Sequence, residues 1–470
     1  MNIGRLGVLN RTWRDAGCIL AAMLSLFAMS GTQVLAGAES ANPARKAGKY
    51  VFAHYMVCFC PPDGPGATVA DYQREILSAQ QHGIDGFALN CGDWNATPSS
   101  YYKTRVLAIY EAAQKLGTDF KLFISADYAS SLSLEETRDM VETFRNHPNQ
   151  FRHQGKPVLS TWVGGRKEAD FIRKEFQGDR AIVFVPCFLS TGNADSFGLA
   201  EVNQLVRDYP GIDGYFYFGA SGNTGILVEG TRLHAQRWHE SGKLFMASAT
   251  PYYRGLGMNY RLFERNGFEG MAAQWEVAIK SDADWMEITT WNDLGEASYV
   301  GPVGSPAYVK KLAARYGAIL SHDGYLDASR YYIDWFKTGT PPAITSDQIF
   351  YFYRLHPKNL EGVNKPGYKG TDNPSGWKAL QDDVYVTALL KAPAKLTIYS
   401  GETSKSFDLP AGLRHVRLPF APGSQRFILQ RDGKTLIDKV GEHEISATDA
   451  WGNFNYFSGS AQAGTLPQPL

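Results

Sequence analysis

The 470-residue chain lacks an excess of charge of either sign, because 47 Lys and Arg residues balance 47 Asp and Glu residues. A nucleic-acid-binding protein needs a basic surface to neutralise phosphates, so the composition argues against a nucleic-acid partner. Cysteine is scarce, with five residues, and no CxxC pair or histidine cluster accompanies them. This pattern argues against a metal site. No GxGxxG segment follows the first strand-like run, so the sequence carries no dinucleotide-binding fingerprint.

Long apolar runs are also missing, except near the start of the chain. Residues 18–29, CILAAMLSLFAM, follow three arginines and precede small residues at 34–36, a pattern typical of a secretory signal peptide over residues 1–36. The run is too short for a comfortable transmembrane helix. We therefore expect a protein that is secreted or periplasmic, with no stable membrane insertion after signal cleavage.

An exported protein can form disulfide bonds. Cys58 and Cys60 follow the first strand-like run, and Cys91 follows the second. If these two strands are neighbours, Cys91 can reach Cys58 or Cys60. Free buried thiols are the alternative.

Eight apolar runs of strand length recur in the first two thirds of the chain, with amphipathic helical patterns between them. They are residues 49–57, 83–90, 120–128, 156–164, 181–188, 211–219, 244–253 and 285–293. Near-continuous apolar character is typical of parallel strands covered on both faces. The repeat predicts an α/β fold, a (β/α)8 TIM barrel over residues 37–335, with an open doubly wound sheet as the alternative.

The pattern changes after residue 335. A Pro- and Thr-containing linker is followed by segments of strand periodicity with no long helix between them, which predicts a β-sandwich-like domain over residues 336–457. The polar, Gly-containing end, residues 458–470, predicts a disordered tail.

In a barrel of this kind the functional residues lie at the carboxyl ends of the strands. Polar and aromatic residues occur late in, or just after, the predicted strands, and we take them as candidate substrate-binding residues: His54, Tyr55, Asn90, Asp93, Trp94, Asp127, Trp162 and Tyr253. Hydrogen-bonding groups mixed with flat aromatic faces suit a polyhydroxylated ligand better than a phosphate or an acyl chain.

The segment WNDLGE, residues 291–296, ends the eighth predicted strand. It places Asp293 and Glu296 three positions apart, and Gly295 would let the chain turn so that both carboxylates face the same opening. Three residues span at most about 10 Å between Cα atoms, which fits the range of separations used by glycosidases. A salt-bridged or helix-capping pair is the structural alternative.

Four segments, in order, resemble glycoside hydrolase family 71, whose members are α-1,3-glucanases, also called mutanases. They are VFAHYMV (51–57), GIDGFALN (83–90), KLFISADYA (121–129) and ITTWNDLGEASYVGP (288–302). The resemblance implies a catalytic barrel with an attached β-sandwich, and hydrolysis of α-1,3-glucosidic bonds with inversion and without a metal or cofactor. It assigns catalysis to Asp293 and Glu296. We expect Trp291 and Asn292 of the same motif to contact the polysaccharide.

The chain departs from the fungal pattern beside the motif, at Leu294 and at Ala297 or Ser298. Two alternatives to an endo-acting α-1,3-glucanase therefore stay open: another α-glycosidase, for example one acting on α-mannan, and a non-catalytic glycan-binding barrel. We expect Glu296 to be the acid and Asp293 the base, with the reverse assignment open. The sequence predicts no oligomeric state.

Overall fold

A computed structural model of the chain describes residues 44–59, 66–94, 101–188, 198–255, 260–359, 374–448 and 454–464. The fold is mixed α/β. The first part contains, in chain order, β1 (Tyr50–Met56), α1 (Val69–Gln81), β2 (Gly86–Cys91), α2 (Tyr102–Leu116), β3 (Lys121–Asp127), α3 (Leu134–Phe144), β4 (Arg152–His153), β5 (Lys156–Trp162), α4 (Arg166–Glu175), β6 (Val183–Cys187), α5 (Leu199–Asp208), β7 (Gly214–Phe216), α6 (Thr224–Glu240), β8 (Leu244–Ala249), β9 (Tyr253–Arg254), β10 (Leu262–Phe263), α7 (Glu269–Lys280), β11 (Trp285–Ile288), α8 (Pro306–Tyr316) and α9 (Asp323–Thr338).

Each of the eight predicted strand segments overlaps one of the parallel strands. The observed strands are shorter, and β2 runs one residue beyond its predicted segment, to Cys91. Their order across the sheet is β6-β5-β3-β2-β1-β11-β8-β7, and the short β4 pairs antiparallel with β5. The first and last of these strands along the chain, β1 and β11, are therefore neighbours, with Tyr50 beside Trp285. This pairing curls the parallel sheet, so that its strands end around a common opening.

Side chains alternate between the two faces of the curled sheet, as strand geometry requires. One face packs against the helices and includes Val51, Phe87 and Leu122. The other face encloses a separate, mainly aromatic cluster that includes Phe52 and Phe123. On the same face as Phe52 and Phe123, the residues nearer the carboxyl ends of the strands are polar. The polar groups therefore lie at the opening, and the apolar cluster lies deeper inside the curled sheet.

Local signals in the sequence define the early helices. Ser133 caps α3: its hydroxyl accepts a hydrogen bond from the N–H of Glu136, and the Glu136 carboxylate accepts one from the N–H of Ser133. Gly117 ends α2 in the left-handed region at φ 64°, a conformation that costs glycine little.

The rest of the described chain is antiparallel. Its strands are β12 (Gln348–Arg354), β13 (Asp383–Leu390), β14 (Ala394–Ser400), β15 (Thr403–Leu409), β16 (Gly412–Pro419), β17 (Gln425–Arg431), β18 (Lys434–Val440) and β19 (Tyr456–Gln462). They form two four-stranded sheets, β16-β13-β12-β19 and β15-β14-β17-β18. Inward residues of both sheets share one core, in which Tyr351 stacks on Phe427 at 4.5 Å. The outer side of the first sheet packs on the helical layer through Phe350 and Phe352.

The structure corrects two of the predicted boundaries. The boundary at residue 335 falls inside α9, which continues to Thr338. The predicted disordered tail is wrong for residues 458–464, because β19 pairs with β12 along its whole length, from Tyr456 opposite Arg354 to Gln462 opposite Gln348. Small residues in this segment allow close packing: a Cβ atom at Gly459 would lie 2.6 Å from the Tyr351 hydroxyl. Residues 1–36 and 465–470 lie outside the described residues.

Phe457 tests whether β19 belongs to the folded core. It is 3% exposed and lies 5.5 Å from the Tyr353 ring. We expect Phe457→Ala to lower the free energy of unfolding by about 3–5 kcal/mol, the usual cost of removing a buried phenyl ring. Urea unfolding measures it, with Tyr399→Ala, at a 39% exposed position, as the control. A Phe457→Ala protein as stable as the control would mean that this segment contributes nothing to the core.

Candidate active site

The two predicted catalytic carboxylates lie in a turn that follows β11. The strand ends at Ile288, so Asp293 lies in the turn rather than at the strand end that the sequence predicted. The Thr290 hydroxyl accepts a hydrogen bond from the N–H of Asp293 at 2.8 Å. Oδ1 of Asp293 accepts one from the N–H of Glu296, also at 2.8 Å. The Asp293 side chain thus stabilises the turn that carries Glu296.

On one side the turn is held by β1. The N–H of Trp291 donates to the carbonyl of His54 at 2.8 Å. The Asn292 side chain accepts from the N–H of Met56 at 2.7 Å and donates to its carbonyl at 3.1 Å. Asn292 was predicted to bind substrate, but both ends of its amide are engaged by backbone. Its role in this structure is to fix the turn against β1.

On the other side the turn is held by Arg254, a side chain that is 2% exposed. The backbone N–H of Arg254 donates to the carbonyl of Glu296 at 2.8 Å, and the Arg254 guanidinium donates to the carbonyl of Gly295 at 3.0 Å. The left-handed residue of the turn is Ala297, with φ 54°, and not Gly295, as the sequence suggested. Contacts on both sides therefore hold a backbone conformation that alanine alone would disfavour.

The environment of Glu296 favours its protonated form. Burial, and then the negative charge of Asp293, raise its pKa from 4.5 to about 8. The Tyr253 hydroxyl donates to Oε1 of Glu296 at 2.8 Å, and this bond, with the charges of Arg261 and Arg254, lowers the pKa by a smaller amount. Glu296 is therefore a carboxylic acid that can still carry its proton at neutral pH.

The environment of Asp293 is different. Burial raises its pKa above the ordinary value, but the N–H groups of Glu296 and Gly295 and the charges of His54 and Arg254 act in the opposite direction. Two backbone donors point at its carboxylate, whereas a single tyrosine hydroxyl donates to that of Glu296. Two carboxyl groups whose surroundings push their pKa values apart can divide acid and base work.

Three predicted binding residues, His54, Asn90 and Asp127, meet on the inner face of the sheet. Burial raises the pKa of Asp127, while the N–H of Ala129, the Asn90 side chain and the charge of His54 lower it. The Ala129 bond is 2.9 Å long. The sequence therefore identified a polar cluster that the structure brings together beside Asp293.

Trp162 lies where the sequence placed it, at the end of β5, whereas Tyr253 is buried in the short β9, four residues beyond the end of β8. Trp162 is partly exposed at the end of β5, opposite Asp127 in the register, and its ring packs on Phe218 with centroids 4.4 Å apart. Asp93 is partly buried in the segment after β2. Contact of these residues with substrate stays a prediction.

Three predicted aromatic binding residues are instead core residues. Tyr55 lies on the helix-covered face of β1 and donates to Glu75 at 2.5 Å. Trp94 is 1% exposed, and its indole N–H donates to Asp139 at 2.6 Å. Trp291 is fully buried against Phe87, with ring centroids 5.2 Å apart. None of these rings offers a face to a ligand, because each is packed inside the helical layer.

The predicted disulfide bond from Cys91 to Cys58 or Cys60 is not formed, since Cys91 is a free thiol, as is Cys58. Cys91 is the last residue of β2 and belongs to the helix-covered face. Cys58 lies beyond the end of β1, and its carbonyl accepts a hydrogen bond from Arg105 at 3.0 Å. Cys60 lies outside the described residues.

Two site residues escaped the sequence prediction. Glu287 is fully buried inside the curled sheet, 2.6 Å from Nδ1 of His54. The sequence did contain a signal for Glu287, because a charged residue stands between Trp285 and Thr289, at a spacing of two, in an otherwise apolar segment. Arg254 had no such signal, since its contacts are made with the backbone of a distant turn.

Within the residues that the structure describes, no three His, Cys, Asp or Glu side chains group in a way that could hold a metal ion. In the same residues, no helix is both long and apolar enough to cross a bilayer.

The sequence profile named Glycosyl hydrolase family 71 matches residues 47–469 of the 470-residue chain. The chain belongs to glycosyl hydrolase family 71. This confirms the family resemblance seen in the sequence and makes the protein a glycoside hydrolase.

Curated relatives of this family 71 hydrolase match most of its length. A mutanase of Penicillium rubens is 29% identical over 431 residues, which cover 88% of this chain and 89% of that protein. A glucan endo-1,3-alpha-glucosidase of Schizosaccharomyces pombe is 27% identical over 435 residues, covering 88% and 95%. Among solved structures, an endo-alpha-mannosidase of family GH99 from Bacteroides thetaiotaomicron has a TM-score of 0.46 at 16% identity, covering 62% of this chain and 99% of that one.

Tyr253 offers a test of the pKa of Glu296. The Tyr253 hydroxyl bond lowers that pKa, so its removal in Tyr253→Phe should raise the pKa further. If Glu296 must be protonated, activity is lost as pH rises through about 8 in the native enzyme, and at higher pH in the variant. The pH dependence of kcat/KM measures this, because it reports groups of the free enzyme. Tyr252→Phe is the matched control, because that hydroxyl donates to the carbonyl of Phe454. If the alkaline limb of Tyr253→Phe stays at the native pH, that limb does not report the protonation of Glu296.

Proposed function

We propose that this family 71 hydrolase cleaves α-1,3-glucosidic bonds inside α-1,3-glucan chains and inverts the anomeric centre. One observation carries the proposal: Asp293 and Glu296 share one turn at the opening of the parallel sheet, and their surroundings differ. The names of the curated relatives, a mutanase and a glucan endo-1,3-alpha-glucosidase, support the substrate. Inversion follows from the family resemblance.

Glu296 acts as the general acid in this proposal. Burial and the neighbouring charge of Asp293 keep its proton in place at neutral pH, so that it can be donated to the glycosidic oxygen as the bond breaks. Asp293 acts as the general base: it accepts a proton from a water molecule, which attacks the anomeric carbon from the opposite face of the ring. His54, Asn90 and Asp127 hold the sugar by hydrogen bonds, and Trp162 stacks on an adjacent ring.

The same proposal includes the architecture around the site. We take the curled sheet to be a closed (β/α)8 barrel, because β6 and β7, its two ends, are linked by a backbone hydrogen bond of 3.0 Å from Asp213 to Phe184. The barrel then ends with α9, and the antiparallel sheets form an attached β-sandwich. The signal-like start of the sequence supports export.

The test is incubation of the purified protein with insoluble α-1,3-glucan, with α-mannan in a parallel reaction. We expect reducing ends to appear from the glucan, as a mixture of oligosaccharides from the first minutes, because an endo-acting enzyme cuts at internal bonds. Proton NMR during the reaction should show the β-anomer first, because inversion of an α-linkage produces it. If reducing ends appear from α-mannan alone, α-mannan and not α-1,3-glucan is the substrate. An α-anomer as the first product would contradict inversion.

The carboxylate roles can be separated by substitution. We expect Asp293→Asn and Glu296→Gln each to lower kcat on α-1,3-glucan by about 10²-fold or more, the low end of acid–base contributions. An aryl glycoside with a good leaving group needs little protonation, so it should restore turnover in Glu296→Gln and not in Asp293→Asn. Thermal unfolding of each variant establishes that it is folded. Rescue of Asp293→Asn instead would reverse the two roles, and near-native activity of both folded variants would show that the pair is structural.

A further inference from the structure

A histidine–carboxylate pair lies directly below the proposed catalytic groups, inside the curled sheet. Nδ1 of His54 lies 2.6 Å from Oε1 of Glu287. Glu287 is fully buried and His54 is 1% exposed. In the pairing of β1 with β11, Glu287 lies opposite Phe52, two residues before His54 on the same strand. The structure therefore contains an ionisable pair that has almost no access to solvent.

Two phenylalanine rings pack beside the pair. The edge of the Phe218 ring faces the His54 ring at 5.0 Å, and Phe216 lies at 6.5 Å. Oε2 of Glu287 makes no hydrogen bond with any of the residues that the structure describes. Burying a carboxyl group with one polar partner costs free energy. A position that core packing alone had shaped would be occupied by an apolar residue, so the carboxyl group has another use.

That use is found on the other side of the imidazole. A carboxylate at Nδ1 fixes the orientation of the ring and the position of its protons, and it leaves Nε2 as the nitrogen free for other contacts. Burial raises the pKa of Asp127 and of Asp293, and the interaction with His54 is among the effects that lower both. The charged groups that act on this cluster are Glu287 on β11, Asp127 on β3, and Asp293 and Arg254 beside the turn; the Cys187 thiol on β6 also lies near Glu287.

We propose that Glu287 is a positioning residue for hydrolysis: it holds the His54 imidazole in one orientation, next to the turn that carries Asp293 and is bonded to the His54 backbone. This inference rests on the proposed role of Asp293 as the base. Glu287 itself touches no reacting atom and acts through His54 alone.

Glu287→Gln tests the inference, since it keeps the size and an accepting oxygen and removes the charge. We expect kcat to fall about 10-fold or more while KM changes little, as happens when the partner of a functional histidine is lost. We also expect the acidic limb of the kcat/KM profile to move to higher pH by about 1 unit. The sign follows because Asp293 must be ionised: the interaction with His54 lowers the pKa of Asp293, so a weaker interaction leaves that pKa higher and the proton is lost only at higher pH.

A second histidine–carboxylate pair, at the other end of β11, offers a matched control. Asp284 precedes β11 at its opposite end, where its carboxylate lies 3.0 Å from Nε2 of His239. Asp284→Asn removes a carboxylate from a histidine pair of the same type, far from the opening. We expect its acidic limb to stay where it is in the native enzyme.

A double-mutant cycle with His54→Asn decides whether Glu287 acts through His54. We expect the double variant to match His54→Asn in kcat and in its acidic limb, and additive losses would overturn the proposal. The double variant removes both charges together, so it leaves no unpaired buried ion and covers the case in which Glu287→Gln alone does not fold. Native activity with an unmoved acidic limb in folded Glu287→Gln would refute this inference alone. A native enzyme that released no sugar from any α-glycan would refute the proposed function as well.

Discussion

The cost of placing several carboxyl groups at one end of an apolar sheet determines much of this structure. Asp127, Asp293 and Glu287 all lie in surroundings that raise the pKa of a carboxyl group. Such groups are kept only when donors or charges reach them. Here the donors are backbone N–H groups and the side chains of Asn90 and His54. The polar cluster is consequently a network in which the protonation of each group depends on its neighbours.

The turn after β11 shows how the fold meets this requirement. It is bonded to β1 through Asn292 and to Arg254 on its other side, so neither carboxylate has to hold the backbone alone. The aromatic residues that accompany the motif in sequence, Trp291 above all, are packed behind it. A rigid turn keeps the two carboxyl groups in different environments, and that difference is what acid–base hydrolysis requires.

The attached antiparallel sheets also support this arrangement. Glu264, which lies next to β10, accepts hydrogen bonds from the hydroxyls of Tyr385 on β13, at 2.6 Å, and Tyr456 on β19, at 2.5 Å. The Tyr252 hydroxyl donates to the carbonyl of Phe454, just before β19. The segment that carries Tyr253 and Arg254 is therefore braced from the antiparallel side. This contact links the last strand of the chain to the side chains that surround Glu296.

The sequence by itself determined the eight parallel strands, the early helix ends and the family, because apolar periodicity, capping residues and ordered motifs are local signals. It also predicted His54, Asn90 and Asp127 as candidate site residues from polar residues at strand ends, and Asp293 and Glu296 from the WNDLGE motif. Only the tertiary structure decided which face each aromatic residue takes: one step along a strand moved Tyr55 into the helical layer, while its neighbour His54 faces the site. Partners far apart along the chain decided the rest. Arg254 holds a turn some forty residues away in sequence, and β19 is ordered only because β12 pairs with it.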